Sequence, residues 1–185
     1  MIAAGHIPGV FVIDQDLLTR SVKEATHEVF ATMLGIEPRY EGCAGETRAP
    51  ELGIISLVGI TGDWGGSGVF CCSPALARLL CARMLGTEPG FAIDDEVLDV
   101  VAEITNMMIG TVKTTLECVA GPLAISVPTV IHGRNFEFRN APGLHSLAMA
   151  FTAEEQAFEV RISLAPAADK GGSRSRVAVL NLAHE

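Results

Sequence analysis

The segment from Asp94 to Cys118 constrains the fold more than any other part of the chain. Asp94 is predicted to cap a helix here, and Gly121-Pro122 is predicted to close it. Apolar residues at helical spacing cover most of the circumference of this helix; they are Val97, Val100, Val101, Ile104, Met107, Met108 and Val112. A helix with this distribution has to be enclosed by the rest of the protein on nearly every side.

The remaining face of this helix is a narrow polar seam. At about 100° per residue the seam is about 80° wide, and its members are Asp99, Glu103, Asn106, Gly110, Lys113 and Glu117. Helix interiors disfavour Asn and Gly, which together cost on the order of 1.5 kcal/mol relative to Ala. The missing side chain at Gly110 lets a ligand or another backbone approach Asn106. The seam is therefore either an ordinary solvent-facing surface or a docking surface.

Glu103 and Asn106 are three residues apart and share one face of the helix. An amide can hold a water molecule, and a neighbouring carboxylate can bind a cation on a partner. Such a pair acts through proximity and orientation, which suits a bond that is already labile, such as an acyl phosphate. The pair contains no nucleophilic Ser or Cys backed by a His and no metal-ligand spacing, so no metal site is predicted.

Before the central helix, the pattern predicts a helix from about Asp14 to Leu34, with apolar positions that include Met33 and a stop at Gly35. Residues 40–50 read as a loop. A hairpin follows, with strands "ELGIISLVGI" and "GSGVFCCS" joined at "TGDWGG". Ser73-Pro74 then opens a second helix.

After the central helix, the chain predicts strands. "LAISVPTVIHG" reads as an extended strand in which Pro128 requires an edge position or a bulge. "HSLAMAFTAEEQAFEVRISLA" reads as two strands joined at "AEEQ", and "PAADKGGSRSR" has the composition of a flexible linker. Runs of helices and runs of strands, without strict alternation, indicate an α+β sandwich of helices on an antiparallel sheet.

Composition and net charge limit the classes of partner that the protein could bind. The net charge of −9 disfavours nucleic acid and anionic membranes as partners, because no basic patch is available. No apolar run reaches the length of a membrane helix, and the first ten residues lack the pattern of a signal peptide. The five cysteines are odd in number and form no CxxC pair, which favours a reducing cytoplasm. We therefore expect a cytoplasmic protein whose binding partner is another protein.

The polar seam of the central helix and the hairpin before it resemble the CheC/CheX family of bacterial chemotaxis phosphatases, and the CheX branch in particular. The family pattern is Asp or Ser, three residues, Glu, two residues, Asn, with a Pro further on. Here it reads "DVVAEITN", Asp99 to Asn106, with Pro128 in "ISVPTVIHG". The hairpin and helix "GITGDWGGSGVFCCSPALARLLCARMLG" are also similar. The resemblance covers roughly residues 11 to 164.

The resemblance implies a CheC-like sandwich, with a phosphatase domain at residues 8–165 and a flexible linker with a tail or an added strand at 166–185. It implies hydrolysis of the aspartyl phosphate of a CheY-type response regulator. Asn106 would orient the attacking water, and Glu103 would pair with the regulator's active-site Lys. We expect the regulator to supply Mg²⁺, and the protein to need no cofactor of its own. The partner-binding surface is expected to contain Asp99, Gly110, Lys113 and Pro128.

The chain departs from the family pattern in its first helix, and two alternative functions stay open. Family members with two sites carry a second Glu-x-x-Asn in the first helix, whereas this chain has Glu24 followed by His27, so one active site is expected. This faint echo of the central helix could mark a duplicated fold. The resemblance also implies a homodimer, formed through sheet edges. The alternatives are a non-catalytic module that docks a regulator or a flagellar switch protein, and a thiol enzyme using Cys71 or Cys72.

Overall fold

A computed structural model of the chain describes residues 13–44, 52–134, 136 and 144–167. Within these residues the predicted order of a helix, a hairpin, two helices and then strands is found, with one further strand between the first helix and the hairpin. Most of the predicted linker and the tail lie outside the described residues, so the domain bounds 8–165 and 166–185 stay predictions.

Three helices pack on a seven-stranded antiparallel sheet in the described part of the chain. The helices are α1 (Gln15–Val29, continued by a π-helical turn, Phe30–Leu34), α2 (Pro74–Leu85) and α3 (Asp95–Ala120). The strands are β1 (Arg39–Cys43), β2 (Leu52–Gly62), β3 (Trp64–Cys72), β4 (Leu123–Ile125), β5 (Thr129–Arg134), β6 (His145–Ala153) and β7 (Gln156–Pro166). This arrangement is the predicted α+β sandwich.

The helix ends are fixed by capping side chains and by glycines, among them Asp94, Ser73 and Gly35, which the sequence predicts. The side chains of Asp14, Ser73 and Asp94 each accept a hydrogen bond, at 3.1 Å, from a backbone N–H of the first turn that follows. Gly35 and Gly86 end the first and second helical segments in the left-handed conformation, with φ of 63° and 67°. Cap residues satisfy backbone groups that a helix end otherwise leaves unpaired, so these boundaries follow from local sequence.

The sheet has a twofold connectivity. The strand order is β1-β6-β7-β3-β2, and the far side of β2 is shared by β4 and β5. Reversing the order β1-β6-β7-β3-β2-β5 exchanges β1 with β5, β6 with β2, and β7 with β3. The chain therefore repeats a unit of helix, edge strand and hairpin, once from α1 and once from α3. This connectivity agrees with a duplicated fold, in which Glu24–His27 corresponds to Glu103–Asn106.

The helix α3 is anchored in the core along its length. Seven of its apolar side chains are no more than 1% exposed: Val101, Ile104, Met108, Ile109, Val112, Leu116 and Ala120. Gly68 of β3 allows this close packing, because a Cβ atom there would lie 2.4 Å from Cδ1 of Ile109. A residue carried by α3 is consequently held on a rigid support.

Two segments differ from their predicted structure. The loop predicted for residues 40–50 was wrong for its first part, because β1 pairs with β6 along the edge of the sheet. This strand is short and alternates exposed with half-buried residues, so it lacks the apolar pattern of a central strand. The extended segment around Pro128 is divided into β4 and β5, and Pro128 lies between them. Proline cannot donate a ladder hydrogen bond, which accounts for the break.

The end of α1 also departs from the predicted helical register. Met33 was predicted in the apolar stripe, four residues after Val29, but its side chain is 45% exposed and Leu34 is buried instead. The cause is the π-helical turn, in which the hydrogen-bond spacing lengthens by one residue. The extra residue moves the buried position from 33 to 34 and turns Met33 outward.

Candidate active site

The predicted polar seam is the outward face of α3. Glu103 is exposed and Asn106 is half-buried, and they are separated by about 4.5 Å of helix rise. Asp99 lies one turn before Glu103 and is exposed. Within the described residues, the side chains of these three residues make no hydrogen bond or ion pair. Their polar groups are therefore available to a molecule outside the chain.

A groove opens beside Asn106, between α3 and the C-terminal end of α1. Its volume is about 580 Å³. The α1 wall contains Glu28, Val29, Thr32 and Met33, and the α3 wall contains Asn106, Met107, Gly110, Thr111, Thr114 and Thr115, with Ile125 of β4 beside them. Asn106 and Gly110, which the sequence singled out, thus border one space.

Gly110 leaves room on the α3 wall. Among the described residues, a Cβ atom at this position would meet only Cδ1 of Ile125, at 3.8 Å, which is an ordinary van der Waals distance. Packing against the part of the chain that the structure describes therefore does not require glycine here. The absence of a side chain instead keeps the surface open one turn after Asn106.

Lys113 already has a partner within the chain. Its Nζ lies 2.8 Å from Oε2 of Glu117, one helical turn further on. Glu117 also accepts a hydrogen bond from the backbone N–H of Leu123 at 3.0 Å, which ties the end of α3 to β4. The Lys113 side chain, followed by the Leu123 N–H, lowers the pKa of the Glu117 carboxyl. The predicted partner-binding role of Lys113 would have to share its ammonium group with Glu117.

Pro128 lies in a connection that is fixed to the sheet. Ser126 exchanges two hydrogen bonds with Gly59 of β2: its Oγ accepts from the Gly59 N–H at 2.9 Å, and its own N–H donates to the Gly59 carbonyl at 2.9 Å. Ile125, immediately before this serine, borders the groove. Pro128 is half-buried three residues further along. The predicted site residues on α3 and the Pro128 connection are therefore joined through β4.

The α1 counterpart of the Glu-x-x-Asn pair differs in its contacts as well as its sequence. His27 is exposed and its Nε2 lies 2.9 Å from Oε2 of Glu37. Asn106 has no such partner among the described residues. The two equivalent positions therefore present different chemistry, and the expectation of a single active site stays a prediction.

The environment of Cys71 and Cys72 does not favour a thiol mechanism. Cys71 and Cys72 are buried in β3. Burial, with a smaller contribution from Glu159, raises the pKa of Cys71 to about 11. Burial also strongly raises the pKa of Cys72. A thiol nucleophile has to be deprotonated near neutral pH, so neither cysteine suits this role.

The residues that the sequence analysis missed are those of the α1 wall. Glu28, Thr32 and Met33 belong to a helix whose predicted stripe faced the core, and nothing local pairs them with α3. The one available signal is the echo of Glu103–Asn106 at Glu24–His27, since a duplicated fold would bring α1 and α3 together as equivalent helices. None of the helices in the described residues has the length and apolar content of a membrane span.

An antiparallel sheet covered by three helices, with a Glu-x-x-Asn pair on the outward face of the central one, defines a CheC-like protein. The model of the family described as chemotaxis phosphatase CheX matches residues 54–152, which include the whole of α3 and Pro128. The chain therefore belongs to the CheX family. A curated relative, the CheY-P phosphatase CheX of Thermotoga maritima, is 25% identical over 142 residues, covering 76% of this chain and 90% of the relative.

Solved structures agree with this fold. A CheC-like superfamily protein from a Shewanella species superimposes with a TM-score of 0.73 at 23% identity, over 83% of this chain and 99% of that one. The CheX chain of a Borrelia burgdorferi complex with CheY, BeF₃ and Mg²⁺ gives a TM-score of 0.68 at 22% identity, over 80% and 97% of the two chains. The predicted CheC-like fold and the predicted family are thus confirmed.

Proposed function

We propose that this protein is a phosphatase that hydrolyses the aspartyl phosphate of a CheY-type response regulator. The observation that carries the proposal is the pair Glu103 and Asn106, unpartnered among the described residues, one turn apart on a core-anchored helix and next to an open groove. Membership of the CheX family supports it, as does the relative from Thermotoga maritima named as a CheY-P phosphatase.

In the proposed reaction, Asn106 positions the attacking water. The water oxygen attacks phosphorus, and the bond between phosphorus and the aspartyl oxygen breaks. The regulator's aspartate returns as a carboxylate and inorganic phosphate leaves. One water proton stays on the phosphate and the other passes to solvent. Because the acyl phosphate is labile, holding the water in line supplies the main acceleration and no protein nucleophile is needed.

The other seam residues would hold the regulator. Glu103 is proposed to pair with the active-site Lys of the regulator, which fixes the phosphoryl group relative to Asn106. Asp99, Gly110, Lys113 and Pro128 are proposed to lie at the same contact. The Mg²⁺ that neutralises the phosphoryl oxygens would come with the regulator, as the composition of the Borrelia burgdorferi complex suggests. The protein itself would act without a cofactor.

The rigidity of α3 is the feature that suits this reaction. A water-positioning side chain works only while its amide stays within a fraction of an ångström of the productive geometry. Asn106 lies between Thr105 and Met108, which are at most 1% exposed. Its backbone is thus held by core packing on either side, and only its side chain faces the regulator.

We also propose that the protein is a cytoplasmic homodimer. The five cysteines, all of them among the described residues, are free, which is usual in a reducing compartment. Within the described residues, β1 and β5 each pair with a single strand, so each offers an edge to a second copy. Sedimentation at micromolar concentration should give the mass of two chains. A single species with the mass of one chain would remove the dimer from the proposal.

The proposed activity is tested by the decay of a phosphorylated CheY-type regulator from the same genome, with Mg²⁺ present. Adding this protein in substoichiometric amount should accelerate phosphate release with multiple turnovers, because the active site is regenerated in each cycle. If the regulator binds but its decay is unchanged, the protein is instead a docking module.

A further inference from the structure

The groove beside Asn106 extends well beyond the proposed catalytic pair. On α3 it runs from Asn106 to Thr115, about 13 Å of helix, and the end of α1 forms the facing wall. The proposed reaction requires a phosphoryl group to approach Asn106. A part of the regulator surface that flanks its phosphorylated aspartate would then lie over this groove, on the side of Asn106 away from Glu103.

The walls of the groove favour apolar contact. The hydroxyl groups of three wall threonines, Thr32, Thr114 and Thr115, each donate to the carbonyl four residues earlier, at 2.6, 3.0 and 3.2 Å. These hydroxyl protons are engaged within the helices, which leaves the methyl groups as the main surface that these residues offer. The described lining contains one carboxylate, Glu28, and no Lys, Arg or His. Such a lining does not suit an anion, so the phosphoryl group would stay at the Asn106 end.

Met33 is the most exposed of the large apolar side chains that line this groove. It is 45% exposed on the α1 wall, because the π-helical turn moves it out of the core stripe. Methionine adapts its shape to different apolar partners and is frequent at docking surfaces. Segments of π-helix are also frequent at functional sites. The position of Met33 is thus a consequence of local backbone structure at the groove.

We propose that the groove binds an apolar side chain from the regulator segment beside the phosphorylated aspartate, with Met33 as its main contact. The proposal rests on the proposed function, since it assigns the groove to the same partner. Asn106 would act on the phosphoryl group, while Met33 would determine how tightly, and which, regulators dock. The two residues should therefore affect different kinetic constants.

The test compares Met33→Ala with Leu85→Ala. Leu85 is a matched control, because it is also 45% exposed, also lies one or two residues before a helix-ending glycine, and does not border the groove. Met33→Ala should raise the KM for the phosphorylated regulator roughly 5- to 30-fold, with kcat within about twofold. The Kd for the beryllofluoride-activated regulator should rise by the same factor. Leu85→Ala should leave all three constants unchanged.

A second variant tests the groove with a substitution that should not destabilise the fold. Thr114→Leu adds volume to the α3 wall and replaces a weak helix former with a strong one, so the helix should be retained. It should raise KM and Kd while the melting temperature stays at or above the wild-type value. Unchanged KM and Kd in both groove variants would overturn the assignment. So would a fall in kcat at constant KM.

The outcomes separate this inference from the proposed function. If wild-type protein binds the activated regulator but does not hydrolyse its phosphate, the phosphatase proposal fails. The Kd values of the Met33 and Leu85 variants then decide the groove alone. If hydrolysis is found and both Met33→Ala and Thr114→Leu behave as wild type, the groove assignment fails and the phosphatase proposal stands. If wild-type protein neither binds nor hydrolyses any CheY-type regulator of its genome, both are overturned.

Discussion

Replacing Asn106 by Ala is expected to lower the accelerated release of phosphate from a CheY-type regulator by about 100-fold or more, because the attacking water loses the group that orients it. Binding of the beryllofluoride-activated regulator should stay within a few-fold of wild type, since docking is spread over the rest of the seam and the groove. The fold should be unaffected, because Asn106 is half-buried, makes no side-chain hydrogen bond within the described residues, and Ala is the better helix former. Single-turnover phosphate release and titration calorimetry measure the two quantities.

A matched substitution on the same helix makes this result specific. Cys118 is exposed in the last turn of α3 and does not border the groove, so Cys118→Ala should leave both phosphate release and binding unchanged. Glu103→Gln supplies a second contrast, because losing the carboxylate should weaken docking as well as turnover. Wild-type rates of phosphate release in the Asn106 variant would exclude the water-positioning role.

The parts of the fold that the sequence predicted are those determined by local physics. The central helix was predicted because its apolar circumference and its capping Asp94 lie within one segment. The start of α2 follows in the same way from Ser73 and Pro74, and the hairpin of β6 and β7 follows from the two strand-like runs on either side of "AEEQ". Glu154 and Glu155 do form that turn, with positive φ values of 47° and 61°. Such signals need no knowledge of distant contacts.

The parts that the sequence did not predict depend on distant contacts or on one backbone irregularity. The edge strand β1 gains its structure from pairing with β6, more than 100 residues later, and from Thr152, which donates to Glu41 at 2.7 Å. Met33 is displaced by a π-helical turn that leaves no mark in the apolar period. The catalytic pair could therefore be proposed from sequence, whereas the facing wall of the groove could not.

The two groups of proposed site residues lie on elements that differ in regularity. The residues proposed for chemistry lie on the most predictable element, where packing leaves little freedom. The residues proposed for partner selection lie at the end of α1, where the helix changes its hydrogen-bond spacing. A rigid support favours a conserved geometry for the water, and an irregular wall can vary without disturbing it. Regulator preference can thus change through positions such as Met33 while the reaction stays the same.

Gly110, which follows Ile109 on α3, and Gly68, which packs against Ile109 from β3, should change the free energy of unfolding in opposite directions when each is replaced by Ala. Gly110→Ala should raise the free energy of unfolding by up to about 1 kcal/mol, since Ala favours helix and its Cβ would meet, of the residues that the structure describes, only Ile125, at 3.8 Å. The same methyl group occupies the open surface one turn after Asn106, so kcat/KM for the phosphorylated regulator should fall by about 10- to 100-fold. Denaturant melts and phosphate release, measured on the same preparation, check both effects.

Gly68→Ala is the matched counterpart. Its Cβ would lie 2.4 Å from Cδ1 and 2.7 Å from Cγ1 of Ile109, inside the core, so the free energy of unfolding should fall by about 1–3 kcal/mol. Adding Ile109→Val removes the nearer atom, and the double variant should be less destabilised than the sum of the single changes. The folded fraction of Gly68→Ala should retain most of its activity, because Gly68 does not belong to the proposed regulator-binding surface and does not border the groove. If Gly110→Ala stays fully active, the close approach proposed next to Asn106 does not occur, and Gly110 has no role in docking.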